Sequence, residues 1–540
     1  MEIKKYVPEQ VEDCLLQYYQ QGWQLLFDNG VMMQQMVLQD ILMLGNQSQY
    51  AKDHGFAGIS TKEEFCAKVP ISEYKDYQKY IEKNMDQDNN QLTVQETVYY
   101  LLSTGMSNQG KYYIETRLGA LARQLSIDIW NMVLTQTIPE MTDPAVKMLA
   151  VTNSLPLEKA ANGKKVFRTS GKAAKALWER NPQLYVYPYE FLEADISNDD
   201  RDYLTALYLL KEKHFNMFFC NNGAYMGVLL DWINKKPQQM INDIRQGYLT
   251  AQLSVTDRAC LQQSFLPDIR RADELQQLLD VYGTLPLEKV WPALVFGGVW
   301  LAGSVGQFSR DALKRFPDTV QYISESYGAS EAMFTIPMEF QCTYGPLAIY
   351  SCYFEFLPLD GSSGPVTMEQ MCENVYYEML ITTYSGLYRY NLHDIVRVRG
   401  FTGNTANIEF CCRSAECWNL PTGKLYGYTL IQLMQQVELR CDCLFSFYQG
   451  LEEQNSFSLL IQPSIYGPSF DSTCFIQELQ AQVAMYKIPL KRVFLMKPTY
   501  RDWLYRSLMK NGRNMQSVKL PLVAQNIPDA EFISKIYQIT

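Results

Sequence analysis

Histidine is nearly absent: His54, His214 and His393 are the three in a chain of 540 residues. A histidine-rich metal site is thereby excluded, and a serine– or cysteine–histidine relay has few candidates. Cysteine is present 13 times but badly spaced. The tightest groupings, Cys411-Cys412 and Cys441-x-Cys443, lack the two-residue gap of a zinc knuckle or redox pair, so the cysteines read as reduced, mostly buried thiols. Positive charge is in deficit, with 48 Lys+Arg against 58 Asp+Glu and a net charge of -10. That argues against a general nucleic-acid binder, which must displace counterions from phosphates, and leaves room only for a local basic pocket. Long apolar runs are missing as well. Residues 1–14 lack the uninterrupted apolar core of a secretory signal. The most apolar long stretch, 292–306, is too short to span a bilayer and is broken by Gly297, Gly298 and Gly303. These absences predict a cytosolic protein without a membrane span, whose chemistry leans on carboxylates, lysines, arginines and backbone donors.

What is present is material for a large core: 47% of residues are apolar and 13% aromatic. At about 150 residues per domain the length allows two to four domains. Apolar positions at helical spacing (Leu15, Leu16, Tyr19, Trp23, Leu26, Phe27, then Met33, Met36, Val37, Ile41, Leu42) predict two amphipathic helices interrupted at Asn29-Gly30. Residues 93–104 predict a strand or two running into a loop. The stretch 117–290 reads as largely helical, with helices in 202–214 and 224–232. Strands are predicted at 293–299, 321–325, 347–357, 377–383 and 394–398. The mixture indicates an α/β fold. A smaller α+β region begins near Arg413, with strands at 445–448, 456–461 and 493–496 and helices around 430–439 and 476–486. The predicted division is 1–412 and 413–540, with a candidate hinge around 411–416.

Three constellations carry candidate chemistry. The first, Ser103-Thr104-Gly105-Met106-Ser107-Asn108-Gln109-Gly110-Lys111, puts hydroxyls, glycines and a lysine directly after a strand. Such a loop can wrap phosphate oxygens, although it lacks Walker spacing and also reads as a polar surface turn. The second, Tyr327-Gly328-Ala329-Ser330-Glu331, offers a flat face for a purine, a close backbone approach, a hydroxyl donor and a metal-binding carboxylate, or else an incidental strand-end turn. The third, 386–394, ends in His393-Asp394 before a strand. A carboxylate there can accept both vicinal hydroxyls of a ribose, or simply pair with Arg389 or Arg397.

These motifs, in this order and with a hinge after the third, resemble the adenylate-forming superfamily that includes firefly luciferase and the acyl-CoA ligases. More narrowly, the chain resembles the Gretchen Hagen 3 family of auxin-responsive acyl acid amido synthetases. The narrower likeness rests on Val69-Pro70-Ile71 with Tyr74, Asp76, Tyr77, Tyr80 and Ile81; on Val290-Trp291-Pro292-x-Leu294 and Gly303-Ser304-x-x-Gln307-Phe308; on 353–358; and on Tyr377-Glu378 with Thr382-Thr383 and Gly386-Leu387-Tyr388-Arg389-Tyr390. Gly423-Lys424-Leu425 and Ser517-x-Lys519-x-Pro521 extend it nearly to the end of the chain.

The resemblance implies a large amino-terminal domain of β-structure wrapped by helices, a small mobile carboxy-terminal domain and an active site in the cleft between. It implies an enzyme that uses ATP and Mg2+ to activate a carboxylic acid as acyl-AMP, then passes the acyl group to an amine, an amino acid by family habit. By motif position, Ser103, Thr104 and Gly105 would contact phosphate, Tyr327 with Gly328 would meet adenine, and Ser330 would bond phosphate. Glu331 would hold magnesium and Asp394 the ribose, while Arg413, Lys424 and Lys519 would come from the hinge or small domain. The helix after the first loop offers Leu121, Leu125, Ile129, Trp130 and Val133 as an apolar wall for the acid, and Arg117 or Arg123 for a distal acidic group; core packing is the plainer reading of that wall. Two departures stand out. Met106, Asn108 and Gln109 replace a threonine and two glycines of the family's phosphate loop, which keeps open a relative that binds nucleotide without turnover. His393 stands where the family commonly has glycine. A thioester-forming ligase would share the first half-reaction, but no distinct basic track for coenzyme A is visible.

Overall fold

The computed structural model describes residues 22–56, 58–87, 90–103, 110–138, 141, 143, 145–151, 156–168, 178, 181–454, 456–509 and 518–539. Thr104 to Gln109, and with them most of the first candidate loop, lie outside the described residues, as do Leu15, Leu16, Tyr19 and Ser517. The helical lead is present from residue 22, turns at Asn29 and resumes as the helix Gly30–Gly45.

Four main sheets organise the described residues. Strands β1 (Thr97–Ser103), β2 (Lys111–Thr116), β4 (Pro156–Lys159) and β5 (Lys165–Phe167) form one sheet in the order β2-β1-β5-β4. Strands β3 (Lys147–Val151), β6 (Phe215–Cys220), β7 (Phe296–Val299) and β8 (Gln321–Ser324) lie side by side in that order, all parallel. The helices Asn198–Lys211 and Ala224–Lys235 overlap the predicted runs 202–214 and 224–232, but the largely helical reading of 117–290 missed β3, β4, β5 and β6. A parallel strand covered on both faces, here Phe-Asn-Met-Phe-Phe-Cys, has no alternation to distinguish it from the end of a buried helix. Strand β7 carries two glycines for a steric reason: a Cβ on Gly298 would lie 2.3 Å from the Phe219 ring, and one on Gly297 2.8 Å from the Tyr322 ring.

The third sheet is antiparallel, in the order β10-β11-β12-β13-β9, from β9 (Tyr344–Pro346), β10 (Cys352–Pro358), β11 (Tyr376–Thr383), β12 (Tyr390–Thr402) and β13 (Thr405–Arg413). The strand predicted from 347 begins only at Cys352. After the ribbon β14 (Cys417–Leu420) and β15 (Gly423–Tyr426) comes a mixed sheet β19-β16-β17-β18-β20, built from β16 (Phe445–Glu453), β17 (Ser456–Pro463), β18 (Leu490–Met496), β19 (Val523–Ala524) and β20 (Ile533–Gln538). The helices Gly427–Cys441 and Ser472–Met485 pack against it.

Each major layer has its own core. One surrounds the parallel sheet, a second joins the antiparallel sheet to the amino-terminal helices, and a third belongs to the carboxy-terminal part. Apart from Phe308, every buried residue of the third core lies between Trp418 and Ala524, and on that ground we propose the division at 412/413. Phe308 is the plug between units: it stands on the helix Gly303–Leu313, with its ring 5.0 Å from Phe447 and 5.4 Å from Tyr448. Ion pairs from the same helix close the seam, Asp311 to Arg501 at 2.7 Å and Arg310 to Glu438 at 2.7 Å. No helix among the described residues is long and apolar enough to cross a membrane.

Candidate active site

The second motif forms a tight turn at the carboxyl end of the parallel sheet, the edge where α/β sheets place their ligands. Strand β8 ends at Ser324, and the Glu325 N–H still donates to the Val299 carbonyl at 3.0 Å. The chain then turns back on itself: the Tyr327 carbonyl accepts from Phe334 N–H at 2.8 Å, and Ala329 N–H donates to the Ala332 carbonyl at 2.9 Å. The Tyr327 ring is buried against Phe334, Phe410 and Trp300, with centroids 4.9, 5.3 and 5.7 Å away. Its hydroxyl donates to Asp394 Oδ2 at 2.6 Å. Thus the second and third motifs, separate in sequence, meet through one short hydrogen bond.

Asp394 owes its position to a bulge. In the β11–β12 ladder Leu380 faces Asn391 while Glu378 faces Ile395, so residues 392–394 are squeezed opposite Met379. His393 takes up the turn at φ 57°, a left-handed conformation that favours glycine. Its ring Nδ1 lies 3.1 Å from Glu378 Oε1, and that contact raises the imidazole's pKa. The Asp394 carboxyl is 4% exposed. Burial pushes its pKa up, against the pull of Arg413 and the Tyr327 hydroxyl. Arg413 stands directly opposite in the β12–β13 ladder, with Nε 3.5 Å from Asp394 Oδ1, and that oxygen is buried without a hydrogen-bond partner. The simpler reading, Asp394 paired with Arg389 or Arg397, fails. Arg389 forks onto Glu355, and Arg397 donates to Asn374 at 2.7 Å.

The amino-terminal signature of the sequence braces this hairpin. The Tyr77 hydroxyl accepts from Tyr388 N–H at 2.8 Å and donates to the Tyr388 carbonyl at 2.7 Å, while Ser72 exchanges backbone bonds with Arg389 and Asn391. The Tyr74 hydroxyl accepts from Tyr112 N–H at 2.9 Å.

Around Asp394 the charges alternate. Glu331 is half-buried beside Tyr113, whose hydroxyl bonds it; desolvation raises the carboxyl's pKa and the tyrosine's bond opposes that rise. Tyr113 in turn meets the Tyr390 hydroxyl at 3.1 Å. Glu416 accepts from Arg413 N–H at 3.1 Å and from the Ser304 hydroxyl at 3.3 Å. Lys519 is exposed to solvent. The surrounding protein, more than the nearby Arg413, holds its ammonium below the ordinary lysine range, while Asp394 and Glu416 pull it back up. The structure therefore groups Tyr327, Glu331, Asp394, Arg413 and Lys519. Sequence reasoning missed Glu416 and Tyr113, neither of which carries a local motif, and gave no site role to Tyr390 although it lies within the third motif. Lys424 is exposed on β15 with its ammonium 5.8 Å from the Tyr426 ring centroid, outside the contacts described around Asp394. Ser103 closes β1 opposite Lys111, Gly328 is exposed and bridges to Met333, and the Ser330 carbonyl is held by Arg123.

The apolar wall expected on the helix Arg117–Thr137 divides. Leu121 and Leu125 are 55% and 40% exposed, whereas Ile129 and Val133 belong to the core, and Trp130 packs against Phe219. Among the described residues no three carboxylate, imidazole or thiol groups converge. The single carboxylate of Glu331 could hold a magnesium ion only alongside oxygen ligands from elsewhere, an arrangement that ion commonly adopts.

One pH effect follows from the sheet edge. Burial pushes the Glu325 carboxyl up to about 8, so between roughly pH 4.5 and 8 the folded chain holds a proton that the unfolded chain has lost. Stability from this group is present at low pH and declines as pH rises through that window. Melting temperature should therefore fall more steeply from pH 6 to pH 9 in the native chain than in Glu325→Gln; parallel slopes would remove the assignment.

Comparison with known proteins agrees with this architecture. The chain matches the GH3 family N-terminal domain over residues 23–320 and the GH3 family central domain over residues 345–413. It belongs to the GH3 family. It is 22% identical over 433 residues to the jasmonoyl–L-amino acid synthetase GH3.5 of Oryza sativa subsp. japonica, covering 72% of each chain. It is 23% identical over 436 residues to the 4-substituted benzoates-glutamate ligase GH3.12 of Arabidopsis thaliana, covering 77% of this chain and 74% of the relative. Among solved structures it superposes on the AtGH3.15 acyl acid amido synthetase in complex with 2,4-DB, with TM-score 0.82, 17% identity and coverage of 98% and 97%. A 2-hydroxyisobutyryl-CoA ligase in the postadenylation state gives TM-score 0.51 at 10% identity over 86% of each chain. At these identities the structural matches speak for the fold alone.

Proposed function

We propose that this chain is an ATP-dependent acyl acid amido synthetase: it converts a carboxylic acid to its acyl adenylate and transfers the acyl group to an amino acid or other amine. The observation that carries the reading is the buried, unbonded Oδ1 of Asp394 beside Tyr327 and Arg413 at the carboxyl edge of the parallel sheet, in a chain of this family.

In the first half-reaction a carboxylate oxygen of the acid attacks the α-phosphorus of ATP, a new P–O bond forms, and the bond to pyrophosphate breaks. Asp394 accepts the ribose hydroxyls and fixes the nucleotide's register, Tyr327 supports adenine beside Gly328, and Ser330 with Ser103, Thr104 and Gly105 contacts phosphate. Arg413 and Lys519 supply positive charge where phosphate oxygens gather. Glu331 is the carboxylate that would hold magnesium, which when bound neutralises phosphate charge. In the second half-reaction the amine attacks the acyl carbon and AMP leaves. Rotation of the 413–540 unit would bring Lys424 toward the cleft for that step. We place the reaction in the cytosol, consistent with free thiols among the described cysteines.

The test is pyrophosphate release with Mg-ATP against aryl, indolyl and fatty acids, each with and without pooled amino acids. Release that requires one acid and rises with amino acids, giving an N-acyl amide by mass spectrometry, is the expected result. Release stimulated by coenzyme A instead would move the chain to the thioester ligases. A silent panel with nucleotide still bound would mark a binding protein.

A further inference from the structure

The side chain that sequence reasoning offered to the substrate acid is already committed elsewhere. Arg123 stands two turns into the helix Arg117–Thr137, which is capped by the Thr116 hydroxyl. Its side chain is 11% exposed and borders, with Glu115 and Glu331, a small cavity, while its guanidinium nitrogens reach protein acceptors. Nε donates to Glu115 Oε2 at 3.1 Å, Nη1 to the Ala329 carbonyl at 3.0 Å and Nη2 to the Ser330 carbonyl at 3.1 Å. Glu115 is itself buried, with its other oxygen 3.3 Å from the Ser385 hydroxyl. The space is made by Gly119, one turn before Arg123, where a Cβ would fall 2.2 Å from Glu115 Oε1.

We propose that Arg123 is a positioning residue for the nucleotide end of the cleft, clamping the turn that carries Tyr327 and Glu331 to the helix Arg117–Thr137, and does not serve as a ligand for the substrate acid. The inference rests on the adenylation reading above. The geometry supports it in three ways. Two successive carbonyls, of residues 329 and 330, are held by one rigid fork, which fixes the peptide plane between them as two independent donors would not. That peptide lies directly between Tyr327, whose hydroxyl orients Asp394, and Glu331. The third donor is neutralised by Glu115, so releasing the guanidinium toward a ligand would strand a buried carboxylate. A lysine could reach one carbonyl but not span both.

The test uses the full chain and two variants. Arg123→Lys keeps the charge but loses the fork; the double change Arg123→Met with Glu115→Gln removes both charges, so no buried carboxylate is left alone. Thermal melting first establishes that each variant folds. Binding of a fluorescent ATP analogue with magnesium is then titrated, and KM for the preferred acid is measured at saturating ATP. Both variants should weaken nucleotide binding about tenfold, with acid KM changed by less than about twofold. A raised acid KM with nucleotide affinity intact would overturn the inference and make Arg123 an acid ligand. Unchanged values for both would also overturn it, while leaving the adenylation reading in place. A native chain that binds no Mg-ATP would instead overturn the adenylation reading and the inference with it.

Discussion

Asp394→Ala is expected to lower turnover at limiting ATP by roughly a thousandfold, with the loss concentrated in the KM for ATP and the KM for the acid little changed. Hydrogen bonds to a charged acceptor contribute about 1.5–3 kcal/mol each, and a ribose diol offers two, so about 4 kcal/mol is a middle estimate. The carboxylate suits the task because it is already desolvated: one oxygen is held by Tyr327 at 2.6 Å and the other is buried without a bond. No solvent has to be stripped from that oxygen when the nucleotide enters. Alanine would also leave the Arg413 guanidinium without its facing charge and the Tyr327 hydroxyl without its acceptor, so Asp394→Asn is the control. The amide keeps the shape and can still accept from Tyr327. If asparagine retains most of the activity, geometry outweighs charge. If even alanine leaves the KM for ATP unchanged, Asp394 does not hold the ribose.

The two motifs that meet at this point were legible because each is local: a strand, a sharp turn and a few polar residues of fixed order. Tyr327, Glu331 and Asp394 could be named from their own neighbours in sequence. Their supports could not. Glu416 reaches Ser304, 112 residues away, and Tyr113 bonds Glu331 from the β1–β2 sheet; nothing in the residues around either announces a partner so far along the chain. Arg123 shows the same limit from the other side. Its position on an amphipathic helix suggested a ligand for the acid, and only the fold reveals that carbonyls 206 and 207 residues away occupy it. Strand β6 was hidden for another reason, since a strand buried on both faces has no period of two to read. The left-handed His393 could be recognised only as a departure from glycine; the bulge that requires it follows from the β11–β12 register.

Arg389→Ala should destabilise the amino-terminal part by about 3–5 kcal/mol, the range for breaking a buried ion pair on one side. The pair is enclosed, with Arg389 at 7% and Glu355 at 3% side-chain exposure. The guanidinium is fully used: Nε and Nη2 fork onto Glu355 at 3.0 and 2.9 Å, and Nη1 reaches the carbonyls of Cys66 and Val69 at 2.9 and 2.8 Å. Alanine would leave a buried carboxylate whose remaining neighbour is the Cys66 thiol, itself pushed up to about 11 chiefly by burial, together with two unsatisfied carbonyls. The consequence extends to the site, because the same segment exchanges backbone bonds between Ser72 and Arg389 and Asn391, just ahead of the Asp394 bulge. A lower denaturant midpoint in Arg389→Ala should therefore come with weaker nucleotide binding. Arg389→Met combined with Glu355→Leu, which removes both charges at similar volume, should recover much of the midpoint. If the double variant is as unstable as the single one, the deficit comes from the lost Cys66 and Val69 carbonyl bonds rather than from the stranded charge. If Arg389→Ala unfolds at the native midpoint, the pair is not what anchors segment 66–72 to the hairpin.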